Sequence, residues 1–252
     1  MTIDAPGNNR IPQLQQLWKE AFGDSDAYLD SFFALAFSRD RCRCILENGQ
    51  VKAALYWFDC FCQGQKLAYL YAVATAENSR GKGLCRQLMA AAHTHLKTEG
   101  YAGTILVPAS DNLRQMYAKM GYLPCTRISE LGCAAAQTAV PLERLDKAEY
   151  ERRRRELLPE DGVVQEGSIT ALLADQCSLW GGRGFLLAAW IEDGVLHGEE
   201  LLGSFDAAPG IVKALGADKG IFRIPGEKQE YAMYLPLSPR CPKPGYFGIS
   251  LG

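Results

Sequence analysis

Arg80-Gly81-Lys82-Gly83-Leu84-Cys85 is the most informative segment of the chain, because it joins a strand pattern that ends at Thr75 to a helical pattern. Glycines let the backbone of a turn approach a ligand closely. The free N–H groups at the start of a helix, together with the helix dipole, favour a bound phosphate. The segment matches neither the Walker P-loop nor the dinucleotide fingerprint. Taken alone, it predicts a tight turn that is able to hold an anion.

Upstream of this loop, the apolar spacing predicts two helices followed by three strands. The first helix covers residues 11–22 and ends near Gly23, and the second is capped by Asp24 or Ser25. The three strands form an antiparallel meander broken by the turn dipeptides Asn48-Gly49 and Gln63-Gly64. They are predicted at residues 41–46, 51–62 and 66–75.

Downstream of the loop, the pattern alternates between helix and strand. A helix runs from Gly83 toward Gly100, a short buried strand covers residues 104–108, and a helix capped by Ser110 or Asp111 ends at Gly121. A further strand follows Tyr122. The order of elements predicts an α+β fold in which helices pack on a mixed sheet.

The second half of the chain loosely repeats this order without a visible sequence repeat. We predict a first domain at residues 1–130, a connection at 131–145 and a second, smaller α+β lobe at 146–252. Helices are predicted at 146–158, 169–180 and 209–215, a hairpin at 185–192 and 195–202, and strands at 220–224, 231–237 and 246–251.

The loop resembles the R-x-x-G-x-G/A pyrophosphate loop of the GNAT N-acetyltransferases, and the surrounding order of elements is similar over residues 11–128. In that family the strand after the loop helix splays from the strand before it, and pantetheine lies between them. The resemblance therefore implies an α+β GNAT fold, a mixed central sheet flanked by helices, that uses acetyl-CoA as cosubstrate. The second lobe is interpreted either as a GNAT-like lobe without the loop or as an unrelated α+β cap such as a sterol-carrier-like domain.

The resemblance also implies which residues contact the coenzyme. Backbone groups of Val73, Ala74 and Thr75 would face the pantetheine and the acetyl carbonyl, and Asn112 would lie near the pantetheine arm. Cys85 replaces the usual Gly or Ala, which we expect to crowd the pyrophosphate slightly. The residues expected at the pyrophosphate are Arg80, Gly81, Lys82, Gly83, Leu84 and Cys85.

Tyr117 is the candidate catalytic residue. The run from Tyr117 to Tyr122, with Gly121 between them, resembles the family signature Tyr-x-x-x-Gly-aromatic, whose tyrosine lies near the coenzyme sulfur as general acid. A phenol can supply a proton to a leaving thiolate of comparable basicity. The alternative interpretation is that Tyr117 is only a core residue of an amphipathic helix.

The general base is not identified by the sequence, because residues 66–75 contain no carboxylate. Asp59, a water relay and the C-terminal carboxylate of Gly252 remain alternatives. The resemblance implies direct attack by the amine on the thioester in a ternary complex. Acylation of Cys85 is disfavoured as well because no histidine is near that thiol in sequence.

Nine cysteines in apolar segments predict reduced thiols and no disulfides. The pairs Cys42-x-Cys44 and Cys60-x-Cys62 are interpreted as strand cysteines and not as zinc ligands, so no metal is expected. His93 and His95 are two residues apart on a helix and therefore do not share a metal. We expect both to be surface residues.

The formal net charge of −2 excludes the basic footprint of a nucleic-acid-binding protein. The first ten residues lack the apolar segment of a secretory signal, and no segment reaches 18 consecutive apolar residues. We therefore expect a cytoplasmic protein without membrane or nucleic-acid partners. The sequence does not indicate an oligomeric state.

Together these features predict an N-acetyltransferase, an acyltransferase acting on groups other than aminoacyl, that moves acetyl from acetyl-CoA to a small-molecule or peptide amine. Two features also fit an alternative function, a non-catalytic acyl-CoA sensor or interaction module. They are the lack of an identified general base and the cysteine at position 85 in place of Gly or Ala.

Overall fold

The structure is a computed structural model that describes residues 1–251 and divides into two compact units. The first unit contains Met1–Cys60, Gly64–Tyr122 and Tyr234–Pro242. The second contains Phe61–Gln63, Leu123–Met233 and the residues from Lys243 onward. Within residues 1–251, no helix combines the length and the apolar character that crossing a membrane requires.

The first unit contains four helices and most of one sheet, and its local sequence explains where the helices begin and end. Gly23, in a left-handed conformation, ends the first helix. The Ser25 and Ser110 side chains accept N–H bonds and cap the second and fourth helices. The elements are β1 (Thr2–Asp4), α1 (Ile11–Phe22), α2 (Asp26–Leu35), β2 (Cys42–Glu47), β3 (Gln50–Cys62), β4 (Gln65–Thr75), α3 (Leu84–Thr98), β5 (Gly103–Leu106) and α4 (Asp111–Ala118).

The second unit follows along the chain. Its elements are β6 (Leu123–Pro124), β7 (Arg127–Ala134), β8 (Leu142–Arg144), α5 (Lys147–Leu157), β9 (Val164–Gln165), α6 (Ser168–Gln176), β10 (Ser178–Gly182), β11 (Phe185–Glu192), β12 (Val195–Gly203), α7 (Ala208–Ala214), β13 (Lys219–Pro225) and β14 (Gln229–Glu230). The final strand, β15 (Met233–Pro236), returns the chain to the first unit.

The two units share one strand order. In the first, β1, β2, β3, β4 and β5 are neighbours in that sequence, and β4 and β5 are parallel. In the second, β8, β10, β11, β12 and β13 follow the same order, and β12 and β13 are parallel. Because two helices precede the meander and one helix lies between the parallel strands in both units, the loose repeat predicted from the sequence is a structural repeat.

The sixth position of the first sheet is filled by β15, from late in the chain, and that of the second sheet by β7, its first strand along the chain. β15 lies beside β5, where the N–H groups of Leu237 and Ser238 also donate to the Ala102 carbonyl. In the second unit β7 pairs antiparallel with β13 from Ile128 to Ala134. The chain after Tyr122 therefore contributes to both sheets, with β6 beside β15 in the first and β7 beside β13 in the second.

Two predictions for the second half are wrong. The helix predicted at 169–180 ends at Gln176, and Trp180 lies on β10. Cys177, Leu179 and Gly181 are buried and alternate with less buried residues, which is the period of a strand. Residues 246–251 form no strand, because side chains satisfy much of their main chain in place of a neighbouring strand.

Candidate active site

The predicted splay between β4 and β5 is present in the first unit. The two strands pair only from Leu67–Gly103 to Tyr69–Ile105, although β4 continues to Thr75. Ala72 has a φ of 48°, a conformation that non-glycine residues rarely adopt. This irregularity lies directly before Val73 and changes the direction of the strand end, as bulges do next to binding sites. The backbone of Val73, Ala74 and Thr75 is thereby left without a partner strand on the β5 side.

The loop after β4 is shaped by two glycines. Gly81 and Gly83 have φ values of 76° and 77°, which glycine adopts without strain. Arg80 Nε donates to the Thr75 carbonyl at 3.2 Å, and Lys82 Nζ donates to the Asn78 carbonyl at 2.9 Å. The first bond holds the loop against the end of β4, and the second joins two parts of the loop.

A run of main-chain donors is unused at the start of α3. Within residues 1–251, the N–H groups of residues 81–86 have no hydrogen-bond acceptor. Arg80, Lys82 and Arg86 are exposed, and none of them forms an ion pair with a residue that the structure describes. Unused N–H groups at a helix start, with nearby cations, fit an anionic group such as a pyrophosphate.

A cavity of about 560 Å³ lies between this loop, the end of β4 and the inner face of α4. It brings together most of the residues that the sequence predicted for the coenzyme and for catalysis. The predicted residues that line it are Val73, Ala74, Thr75, Arg80, Gly81, Gly83, Leu84, Cys85 and Tyr117. Lys82 and Asn112 are exposed and do not belong to this lining.

Tyr117 projects from α4 into the cavity. Its side chain is 6% exposed, and its hydroxyl makes no hydrogen bond to a residue within 1–251. Burial raises the pKa of Tyr117 well above its ordinary value, and the nearby Cys85 adds to the shift. The phenol is therefore protonated at neutral pH and is able to donate to a group inside the cavity.

No carboxylate lines the cavity within residues 1–251. Asp59 is engaged elsewhere: it accepts a hydrogen bond from the Tyr101 hydroxyl and lies 3.5 Å from Lys66 Nζ. Gly252, whose carboxylate was a second candidate, lies outside the described residues. The general base therefore has no candidate side chain among the residues that line the cavity.

Cys85 has a protonated thiol, because burial raises its pKa. This disfavours the acylated-cysteine alternative, which needs a thiolate. Cys42 and Cys60 do not face each other, since Cys42 pairs with Tyr56 across β2 and β3. Within residues 1–251, no group of three or more side chains is arranged to bind a metal.

The expectation that His93 is a surface residue is wrong. Its ring is half-buried, and Nε2 lies 2.9 Å from the hydroxyl of Tyr122. Burial lowers the pKa of His93 to about 4. The helical spacing of the sequence could not show this contact, because Tyr122 follows α4 and reaches α3 only in the folded unit.

Sequence reasoning also missed several residues of the cavity. Phe22, at the end of α1, is 47% exposed, and its sequence spacing indicates only that it belongs to the helix. Leu113, Met116 and Met120 recur at three- and four-residue spacing, and this pattern could have placed them on one helix face. The missed lining residues are Ala21, Phe22, Ser79, Arg86, Leu113, Met116 and Met120.

The second unit has no counterpart of this anion loop. After β12 the chain reads Gly203-Ser-Phe-Asp206, so a carboxylate stands where the first unit has cations. Pro209 removes one N–H from the start of α7, which is only seven residues long. The second unit therefore offers neither the charge nor the donors that suit a phosphate.

The splay of the second unit is filled by the end of the described chain. β12 and β13 pair only as far as Gly198 and Phe222. Beyond that point, Glu199 Oε1 accepts from Arg223 at 2.6 Å and from the N–H groups of Ser250 and Leu251 at 3.3 Å. The tail thus lies between the strands at the position that corresponds to the open cavity in the first unit.

Comparison with known proteins agrees with this architecture. The family model described as the acetyltransferase (GNAT) domain matches residues 2–125. No curated protein matches the chain. A GCN5-related N-acetyltransferase from Kribbella flavida has a TM-score of 0.72 at 16% identity, covering 94% of this chain and 72% of that one. A putative acetyltransferase from Pyrococcus horikoshii has a TM-score of 0.67 at 13% identity, covering 100% of this chain and 93% of that one.

These structural matches extend over both units, although identities this low are informative about the fold alone. They favour a GNAT-like second lobe over the unrelated cap, in agreement with its strand order. The first half of the chain, residues 2–125, belongs to the GNAT acetyltransferases, and the second unit is a second GNAT-like lobe.

Proposed function

We propose that the first unit is an N-acetyltransferase that binds acetyl-CoA in the cavity and transfers the acetyl group directly to an amine of a small molecule or peptide. The observation that carries the proposal is the cavity itself. One space is bounded by a helix start with unused N–H groups, by unpaired strand backbone and by a phenol whose hydroxyl makes no hydrogen bond within residues 1–251.

Each part of the cavity has a role in this proposal. The N–H groups of residues 81–86 hold the pyrophosphate, with charge supplied by Arg80, Lys82 and Arg86. The unpaired backbone of residues 73–75 aligns the pantetheine and the acetyl carbonyl. Asn112, on the first turn of α4, approaches the pantetheine arm from outside the cavity lining.

Tyr117 acts on the leaving group. When the amine attacks the acetyl carbonyl and the carbon–sulfur bond breaks, the Tyr117 hydroxyl donates its proton to the departing thiolate. Burial keeps this phenol protonated, so it is available as a donor at neutral pH. The attacking amine loses its own proton to water, because no carboxylate lines the cavity within residues 1–251.

The same absence favours one alternative function, a sensor that binds acyl-CoA and leaves it intact. The two functions share the coenzyme site and differ in turnover. Release of free thiol from acetyl-CoA in the presence of a panel of amines separates them, since a sensor binds the coenzyme without releasing its thiol.

The first experiment is a calorimetric titration of the protein with acetyl-CoA, together with two glycine variants. Gly83→Glu puts a side chain and a negative charge at the pyrophosphate loop. Gly100→Glu is the matched control: Gly100 also has a positive φ, 80°, and an added Cβ there meets nothing within 4 Å.

We expect saturable binding by the wild type and by Gly100→Glu, and at least tenfold weaker binding by Gly83→Glu. Both variants carry the same backbone strain and charge change, so equal weakening in the two would point to lost folding and not to a lost site. A folded wild type that does not bind acetyl-CoA would overturn the proposal.

A further inference from the structure

Three elements of the first unit meet at the hydroxyl of Tyr122. This side chain is 1% exposed, and its hydroxyl lies 2.8 Å from Thr104 Oγ1 on β5 and 2.9 Å from His93 Nε2 on α3. The Tyr122 N–H also donates to the carbonyl of Tyr117 at 3.1 Å. The end of α4 is thereby tied to both β5 and α3.

The Tyr122 hydroxyl forms hydrogen bonds with both His93 and Thr104. A phenol has one proton, so Tyr122 donates to one neighbour and accepts from the other. Burial keeps His93 neutral, and its Nε2 is therefore suited to either role. Removing the hydroxyl would leave two partially or fully buried polar groups without this partner.

Tyr122 also supports the ring of Tyr117. The two rings pack edge to face with centroids 5.7 Å apart. Tyr117 has no hydrogen bond of its own to a residue within 1–251. Its direction in the cavity therefore depends on packing, and Tyr122 is the aromatic neighbour that fixes it.

We propose that Tyr122, anchored by His93 and Thr104, is a positioning residue that aims the hydroxyl of Tyr117 into the coenzyme cavity. This inference rests on the proposed function, in which Tyr117 is the proton donor. Tyr122 itself does not line the cavity and touches no reacting atom. Its loss affects the rate of the chemical step and leaves coenzyme binding intact.

The test compares variants of the anchor. Tyr122→Phe keeps the ring against Tyr117 and removes the hydroxyl. His93→Leu removes the partner on α3, whereas His93→Gln keeps a polar group able to replace Nε2. Tyr101→Phe is the control, because Tyr101 is 6% exposed, hydrogen-bonds to Asp59 and to Trp57 Nε1, and does not line the cavity.

We expect Tyr122→Phe and His93→Leu to lower kcat at least tenfold while KM for acetyl-CoA stays within twofold. His93→Gln should retain kcat within threefold of the wild type, and Tyr101→Phe within twofold. A purely structural role would lower kcat equally in Tyr101→Phe and Tyr122→Phe, or would raise KM together with the loss of kcat, and either result would overturn the inference.

A second readout separates this inference from the proposed function. In protein with ¹³Cζ-labelled tyrosine, the Tyr117 signal is assigned from its absence in Tyr117→Phe. We expect the signal to shift or broaden in Tyr122→Phe and His93→Leu and to stay in place in Tyr101→Phe. An unmoved signal refutes the positioning role, whereas a moved signal in a protein without turnover refutes only the proposed enzyme.

Discussion

Tyr117 lines the cavity and has the properties of a proton donor. Its hydroxyl has no hydrogen bond to a residue within 1–251, and burial keeps its pKa above the ordinary range. The hydroxyl is not among the fully buried polar atoms that lack a hydrogen bond, so it is open to the cavity, where a bound group is able to accept its proton.

Replacing Tyr117 by Phe tests that role. The variant keeps the ring and the packing against Tyr122, so we expect acetyl-CoA to bind within twofold of the wild-type affinity. Transfer to the amine should fall by roughly 100-fold, the lower range for loss of a general acid. Calorimetry and steady-state kinetics measure the two effects separately. Unchanged kcat would remove Tyr117 as general acid.

His93 makes stability depend on pH. Burial lowers its pKa from 6.5 to about 4, so between these values the unfolded chain binds a proton that the folded chain excludes. Stability is therefore lost as pH falls through this window. We expect the free energy of unfolding to decrease more between pH 7 and about pH 5 for the wild type than for His93→Gln. Parallel losses in denaturant titrations of the two proteins would contradict this.

At the scale of single residues, the sequence predicted most of the cavity lining that is formed by one continuous segment. The Arg80–Cys85 loop could be recognised because glycines, cations and a helix start are adjacent in the chain. Phe22 and His93 could not, because their contacts are made with distant segments. A missing residue, such as the general base, has no local signal at all.

At the scale of elements, the filled splay of the second unit is the clearest difference between the two lobes. Its tail is held by a fully buried network: Arg154 Nε donates to Glu200 at 2.7 Å, and the hydroxyls of Tyr150 and Tyr246 donate to the same carboxylate at 3.0 Å. Breaking a buried pair by removing one partner costs about 3–5 kcal/mol. The tail is therefore a structural part of the second unit, and it fills the splay between β12 and β13.

Gly248 tests how tightly this tail is packed. A Cβ at position 248 would collide with the Glu200 carboxylate, which cannot move because its partners fix it. We expect Gly248→Ala to lower the free energy of unfolding by about 1–3 kcal/mol, the usual cost of overpacking. Gly132→Ala on β7 is the control, since a Cβ there meets nothing within 4 Å. Equal stability of the two variants in urea titration would show that the tail is loosely held.

The sequence predicted most elements of the first unit to within a few residues, since turn dipeptides and caps separate them clearly. It failed at residues 177–182 and 246–251 for a physical reason. A short apolar segment such as residues 177–182 fits both the helical and the strand periodicity. The main chain near residues 249 and 250 bonds to the side chains of Gln165 and Glu199, and such bonds leave no periodic pattern in the sequence.

At the scale of the whole molecule, the first sheet needs a strand from the second half of the sequence. A fragment of residues 1–130 contains β1 to β5 but lacks β15, which lies beside β5. We expect this fragment to be less soluble and to unfold at a lower temperature than the full chain. Joining residues 233–242 to it through a flexible linker should recover much of the loss.

The control for this rescue is the same linked fragment with Leu235→Pro, because proline removes an N–H and is poorly accepted within a sheet. Thermal unfolding and solubility measure the outcome. A fragment of residues 1–130 as stable as the full chain, or a rescue by the proline variant as good as by the natural segment, would contradict a structural role for β15.

The exchanged strand also has a consequence for biosynthesis. β5 leaves the ribosome long before β15, because residues 107–232 must be made in between. At ordinary translation rates this interval lasts on the order of ten seconds. During that time the edge of β5 that β15 will cover is exposed, and open strand edges recruit other chains. We therefore expect aggregation of this protein to depend on the rate of translation and on the supply of chaperones in the interval before β15 is synthesised.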